Sequence, residues 1–165
     1  MTLMKAQFEA LLAHVLQACQ QHYGPRLVSL AVFGSVGRGT PHPGSDLDLL
    51  IVADDLPIGR LQRADDFRAV EAALSPQLTE ARNAGLTPEV SPVFKTPAEV
   101  RQGSPLFLDM IEDARMLHDR DDFLRRTLAE FKARLDRLGA RRVWRGNAWY
   151  WDLKPDYKPG EVFEL

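Results

Sequence analysis

Two acidic residues inside a short apolar segment constrain this chain more than any other feature. Residues 46 to 52 read DLDLLIV, so aspartate alternates with leucine before the segment becomes wholly apolar. Side chains two apart on a β-strand leave the same face, which would place Asp46 and Asp48 together, about 6.6 Å apart along the strand. Two like charges on one face repel, and aspartate is disfavoured in strands. A solvated strand end is the alternative, but a bound cation explains the pair better.

The segment before this strand is rich in glycine and proline. Residues 27 to 33 (LVSLAVF) predict a buried strand, and GSVGRGTPHPGS follows directly. Glycine allows backbone N–H groups to approach a phosphate closely, so we expect Gly34 and the Ser35 hydroxyl to bind phosphate at the start of a helix. Arg38 would add a positive charge. The alternatives are an ordinary turn at Gly34 and Ser35, and a surface arginine at position 38.

The strand and the turn together suggest a site for a metal and a nucleotide. Magnesium prefers oxygen ligands, commonly one or two carboxylates together with substrate phosphates. A site of this kind can hold one ion or two. Residues 34–39, with glycine at positions 34, 37 and 39, form what we call the glycine turn. We therefore expect a triphosphate to be bound at one end by Ser35 and this turn. At the other end, Mg²⁺ would bridge it to Asp46 and Asp48.

Hydrophobic periodicity predicts the remaining elements. The expected elements are a first helix over 3–22, a helical segment over 60–84 that Ser75-Pro76 leaves as one broken helix or two, an edge strand over 88–94, and helices over 98–101, 106–116 and 121–138. We divide the chain into a core over 1–104, a helical part of the same domain over 105–140, and an aromatic tail over 141–165. The tail shows no periodicity.

Composition limits the function classes. The 165 residues suit one domain with appendages, and a net charge of −2 gives no broad surface for nucleic acid. One cysteine, Cys19, excludes an internal disulfide. The N-terminus lacks the pattern of a secretory signal, and no apolar run approaches the roughly 20 residues that a membrane span needs. We expect a cytoplasmic protein without a membrane partner.

The segment GSVGRGTPHPGSDLDLLIV resembles the signature of the polymerase-β-type nucleotidyltransferase superfamily, with Gly34-Ser35 before a helix start and Ser45-Asp46-Leu47-Asp48 on the next strand. Within it, the chain is similar to the minimal nucleotidyltransferases, many of which pair with a HEPN-domain partner as toxin–antitoxin modules. The resemblance is strong over 27–53. It implies an α/β fold: a small mixed β-sheet with helices packed on one side, and a helical C-terminal part.

The resemblance also implies the chemistry. An acceptor hydroxyl would attack the α-phosphorus of a nucleoside triphosphate, with ATP expected, and pyrophosphate would leave. Gly34, Ser35, Arg38 and Ser45 would bind the nucleotide. The family has a third carboxylate on a neighbouring strand, and Glu89 is the candidate for that metal ligand or base, although the family more often has aspartate there and an exposed edge-strand glutamate is the alternative. Glu99, Asp109 and Asp113 are weaker candidates.

Several partners and functions stay open from the sequence. The acceptor could be a HEPN-type toxin, or an RNA bound through a local patch, and a homodimer is compatible with the chain. One alternative is an antitoxin that acts by contact through its tail, and another is an aminoglycoside-type enzyme for small molecules. The tail rings at Trp144, Trp149, Tyr150 and Trp151 lie among basic residues. We favour their packing on the domain or a partner over nucleic-acid binding.

Overall fold

The computed structural model describes residues 2–165 as a four-stranded sheet with helices, followed by a β-hairpin. In chain order, the elements are α1 (Leu3–Tyr23), β1 (Leu27–Phe33), α2 (Gly34–Gly37), β2 (Leu47–Ala53), α3 (Arg60–Asn83), β3 (Val90–Lys95), α4 (Pro97–Arg101), α5 (Phe107–Asp113), β4 (Arg115–Asp119), α6 (Phe123–Leu138), β5 (Arg141–Arg145) and β6 (Ala148–Asp152). Short 3₁₀ turns lie at Gly24–Arg26 and Arg120–Asp122. None of the helices in this described part is both long and apolar enough to cross a membrane.

The sheet is mixed, with strand order β3-β2-β1-β4. β1 pairs antiparallel with β2 and with β4, whereas β2 and β3 run parallel. The parallel pair needs a crossover connection, and α3 provides it. The two central strands therefore carry the glycine turn and the aspartate pair, with a neighbouring strand on each side.

Helices cover both faces of the sheet. From β2, Leu49 and Ile51 join the core with α1 and α3, while Leu50 and Val52 join a second core with α5 and α6. The expected class, a mixed α/β sheet with helices, is confirmed, but the helices lie on both sides where we expected one. The reason is that every residue of β2 except Asp48 is buried, so both faces of the strand must be covered.

The segment predicted as a helix over 106–116 is shorter than expected. α5 ends at Asp113, and the following residues form β4, an edge strand that the sequence did not reveal. Ser29 of β1 pairs with Asp119 of β4 and donates a hydrogen bond of 2.7 Å from its hydroxyl to the carboxylate. No glycine or proline separates the helix from the strand, so local sequence alone could not locate the boundary.

Two other segments resolve questions that the sequence left open. α3 is one continuous helix of 24 residues with Pro76 inside it, not two short helices. The tail contains the β5–β6 hairpin, whose two strands pair antiparallel around the turn at Gly146 and Asn147. Trp151 of β6 packs against the second core, so part of the tail covers the domain itself.

Candidate functional site

The two aspartates lie together at the start of β2. Asp48 is the second residue of the strand and is half-buried, whereas Asp46 directly precedes the strand and is exposed. Burial raises the pKa of the Asp48 carboxyl, the negative charge of Asp46 raises this pKa further, and the Arg38 guanidinium opposes both effects. The site therefore concentrates negative charge at a place partly shielded from water.

The Asp48 carboxylate packs directly over the glycine turn. Phe33, the last residue of β1, pairs with Asp48, which places Gly34 beside that side chain. Gly34 has a φ of +65°, and a Cβ added there would lie 3.3 Å from Asp48 Cγ and closer still to Oδ2. Only glycine suits this backbone conformation and leaves space for the carboxylate.

Hydrogen bonds close the loop between α2 and β2. The Ser35 hydroxyl donates to Ser45 Oγ at 2.8 Å, and the backbone N–H of His42 donates to the same oxygen at 2.9 Å. Ser45 is buried, with 2% of its surface exposed. The loop thus brings the predicted nucleotide-binding residues Ser35 and Ser45 into contact beside the two aspartates.

The glycine turn is also tightly packed against α5. A Cβ added at Gly37 would lie 2.5 Å from the backbone oxygen of Asp113 and 2.8 Å from that of Val32. Both neighbours are backbone atoms, which cannot move aside as a flexible side chain can. The turn is therefore fixed between the end of β1 and the end of α5.

Arg38 is held by an ion pair. Its Nη1 donates to Asp113 Oδ2 at 2.6 Å, and the Asp113 side chain is only 2% exposed. The Arg38 side chain is 25% exposed and paired, which does not match the alternative interpretation of Arg38 as a freely solvated surface residue. A guanidinium restrained in this way suits a group that must meet phosphate oxygens in a defined orientation.

Glu89 lies beside Asp46, but one residue before the neighbouring strand and not within it as the predicted strand over 88–94 had it. It directly precedes β3, whose first residue Val90 pairs in parallel with Leu47. The Glu89 backbone N–H donates to Asp46 Oδ1 at 3.3 Å, and its carbonyl accepts from the Leu47 N–H at 2.8 Å. Across residues 2–165, no group of three or more His, Cys, Asp and Glu side chains could hold a metal ion. The role of Glu89 as third carboxylate remains a prediction.

The weaker carboxylate candidates are occupied by structural contacts. Glu99 accepts two hydrogen bonds from Arg63, at 2.8 and 2.9 Å. Asp109 and Asp113 lie on α5 and contact the C-terminal hairpin: the Trp149 indole N–H donates to Asp109 Oδ1 at 3.1 Å, and Arg142 Nη1 donates to Asp113 Oδ1 at 3.4 Å. The sequence did not reveal these two hairpin residues as neighbours of the site.

The chemistry of the donor set fits a divalent cation. Asp46 and Asp48 offer carboxylate oxygens that repel each other when both are ionised. The partial burial of Asp48 strengthens this repulsion, because less water screens the two charges. A magnesium ion bound together with phosphate oxygens would compensate these charges. These two residues would hold it.

Comparison with known proteins identifies the family of this chain. The family model of the nucleotidyltransferase domain matches residues 12–117, which include the turn, both aspartates and Glu89. A protein of Methanocaldococcus jannaschii, provisionally named a protein adenylyltransferase, is 31% identical over 130 residues, covering 78% of this chain and 83% of that protein.

Two solved structures match this chain at low identity and with TM-scores below 0.5. A toxin–antitoxin crystallised with AMP-PNP is 19% identical, with a TM-score of 0.46 over 78% of this chain and 92% of that one. The toxin–antitoxin MntA–HepT is 13% identical, with a TM-score of 0.44 over 79% and 92%. The family match and the archaeal relative carry the assignment: this chain belongs to the nucleotidyltransferase domain family and is a nucleotidyltransferase.

Proposed function

We propose that this protein is a magnesium-dependent enzyme that transfers a nucleoside monophosphate, with ATP as the expected donor, to a hydroxyl group of a protein. The observation that carries the proposal is the half-buried Asp48, packed over Gly34 and next to Asp46. The archaeal relative, provisionally named a protein adenylyltransferase, supports both the adenylyl donor and the protein acceptor.

The residues would divide the work as follows. Asp46 and Asp48 hold the cation, which when bound neutralises phosphate charge and so favours the in-line displacement. The Ser35 hydroxyl and the amides of the glycine turn bind phosphate oxygens, and Arg38 supplies a fixed positive charge. Glu89 is the proposed base, and its place beside Asp46 supports that role.

The proposed transfer needs no reactant besides the nucleoside triphosphate and the acceptor. The acceptor oxygen forms a bond to the α-phosphorus while the bond from that phosphorus to the bridging oxygen breaks, and pyrophosphate leaves. The acceptor proton passes to the Glu89 carboxylate. Most of the rate gain comes from positioning of the reacting groups. β2, which carries Asp48, is fixed between β1 and β3 and cannot shift without disturbing both cores.

A HEPN-domain toxin is the protein acceptor that we propose. The support is the resemblance of the segment over residues 34–52 to the minimal nucleotidyltransferases. An RNA acceptor is less favoured because the net charge is −2.

The test compares a substitution at Asp48, near the start of β2, with one at Asp54, directly after the end of the strand. The protein is incubated with labelled ATP, Mg²⁺ and a purified HEPN-domain protein as the candidate acceptor, and label on that acceptor is measured. Asp48→Asn should reduce transfer at least about 100-fold, as expected when a group that stabilises the transition state is lost. Asp54 forms a surface ion pair with Arg120, so the Asp54→Asn variant should transfer label at the wild-type rate.

Unchanged transfer by Asp48→Asn would refute the catalytic assignment. If the wild type transfers no label, but both the wild type and Asp48→Asn still neutralise the toxin, the protein acts by contact and the proposed function is wrong.

A further inference from the structure

The C-terminal hairpin contacts the candidate site although it lies beyond residues 12–117, the part that matches the family. Trp149 of β6 donates its indole N–H to Asp109 of α5 at 3.1 Å. Arg142 of β5 donates to Asp113, at the end of the same helix, at 3.4 Å. These contacts fix the hairpin on the helix that also packs against the glycine turn.

Asp113 is shared between the site and the hairpin. Its Oδ2 accepts from Arg38 at 2.6 Å and its Oδ1 accepts from Arg142 at 3.4 Å. The carboxylate is 2% exposed, and a buried charge without partners is strongly unfavourable. Both arginines are therefore drawn to the same carboxylate, and the three groups together carry one net positive charge.

The Trp149 ring restrains the same two arginines. The guanidinium carbon of Arg38 lies 5.0 Å from a ring centroid of Trp149, and that of Arg142 lies 5.2 Å from it. Both distances are in the range of cation–π attraction. Arg38 is thus held from two sides, by a carboxylate of α5 and by an aromatic ring of β6.

We propose that the hairpin is a positioning element for the site: Trp149 and Arg142, together with Asp113, hold the Arg38 guanidinium beside Asp48, ready to meet the phosphates of the nucleotide. That Arg38 binds phosphate rests on the proposed function. That the hairpin restrains Arg38 does not. Trp149 is a positioning residue, because it acts on the nucleotide only through Arg38.

Two substitutions on β6 form a matched pair. Trp149→Leu removes the ring and its N–H, while Tyr150→Leu changes the adjacent exposed ring, which points to the other side of the strand. Trp149→Leu should raise the KM for ATP about 5- to 10-fold with a smaller effect on kcat, as expected when a restrained phosphate-binding group is released. Tyr150→Leu should leave KM unchanged.

The Arg38→Ala background separates positioning from general damage. If Trp149 acts through Arg38, adding Trp149→Leu to Arg38→Ala should cause no further rise in KM. An equal further rise in that background would overturn the proposal. Equal KM values for wild type and Trp149→Leu would overturn it as well.

A measurement without nucleotide tests the restraint directly. In ¹⁵N NMR of arginine side chains, rotation of the Arg38 guanidinium should be slow in the wild type and faster in Trp149→Leu, while Arg63, bound to Glu99, stays unchanged as the internal reference. Unaltered rotation at Arg38 would contradict the proposal even in a protein that transfers no nucleotide.

A second substitution at Trp149 separates loss of the aromatic ring from loss of the hydrogen bond that attaches the hairpin to α5. Trp149→Phe keeps an aromatic face for Arg38 and loses only the hydrogen bond to Asp109, so Arg38 rotation should stay close to that of the wild type. Fast rotation in both Trp149→Phe and Trp149→Leu would show that the ring is not what restrains Arg38.

Discussion

Replacing Gly34 by alanine should disable the site through a single added methyl group. Gly34 has a φ of +65°, and the new Cβ would lie 3.3 Å from Asp48 Cγ and in collision with its Oδ2. The left-handed backbone costs about 1–2 kcal/mol of folding free energy for an alanine. The collision has a different effect, because the carboxylate is a flexible end that can rotate away from the methyl group.

The displaced carboxylate would no longer hold the cation in place. A displacement of about 1 Å at a reacting centre can lower the rate about 100-fold, and we expect a loss of that order for Gly34→Ala. Gly103→Ala is the matched control, because Gly103 lies outside the glycine turn and has a φ of +85°, but a Cβ added there would meet no atom within 4 Å. It carries the same backbone cost without the collision.

Two assays separate the effects. Urea unfolding should show similar losses of stability, about 1–2 kcal/mol, for both variants. Transfer of labelled nucleotide at saturating ATP and Mg²⁺ should fall about 100-fold for Gly34→Ala and stay near the wild-type rate for Gly103→Ala. Equal activity of the two variants would refute the reasoning that the Asp48 carboxylate must lie over Gly34.

Three further predictions concern stability and reactivity. Asp119→Ala removes the carboxylate that accepts from the N–H groups at the start of α6 and from the buried Ser29 hydroxyl, so urea unfolding should show a loss of about 2–3 kcal/mol, with Glu130→Ala on the same helix as the neutral control. The hydrogen bond from Arg63 lowers the pKa of Glu99 from 4.5 to about 2, so the ionised pair stabilises the fold fully above pH 4.5 and loses its effect as pH falls towards 2. Glu99→Gln should therefore be less stable than wild type at neutral pH, and this gap should close on acidification; a gap independent of pH would contradict it. Burial raises the pKa of the Cys19 thiol to about 12, so a thiol reagent should label the native protein slowly and the urea-unfolded protein rapidly, and fast native labelling would contradict the buried position.

The sequence predicted those parts of the fold whose cause is local. The apolar run of β1, the alternation at the start of β2 and the periodicity of α1 each appear within a few residues, and the structure confirms all three. The contact of Ser35 with Ser45 was not predicted, although both residues lie in the one segment whose function the sequence indicated. Asp46, however, precedes β2 by one residue, because strand ends depend on pairing with neighbours that sequence patterns do not show.

The parts that the sequence missed depend on contacts between distant segments. β4 becomes a strand by pairing with β1, about 85 residues earlier in the chain. The position of Trp149 follows from Asp109 of α5, and Asp113 pairs with Arg38 from 75 residues away. The catalytic roles of Asp46, Asp48 and Glu89 remain predictions until the transfer assays are done.

The place where the match to the family model ends has a practical consequence. The match ends at residue 117, in the middle of β4. A fragment cut there would lose half an edge strand and all of α6, whose Leu128, Phe131 and Leu135 cover Val28 and Ala31 on the sheet. Such a fragment would expose apolar surface and should aggregate, so an expression fragment that ends where the family-model match ends would fail for reasons unrelated to the enzyme's chemistry.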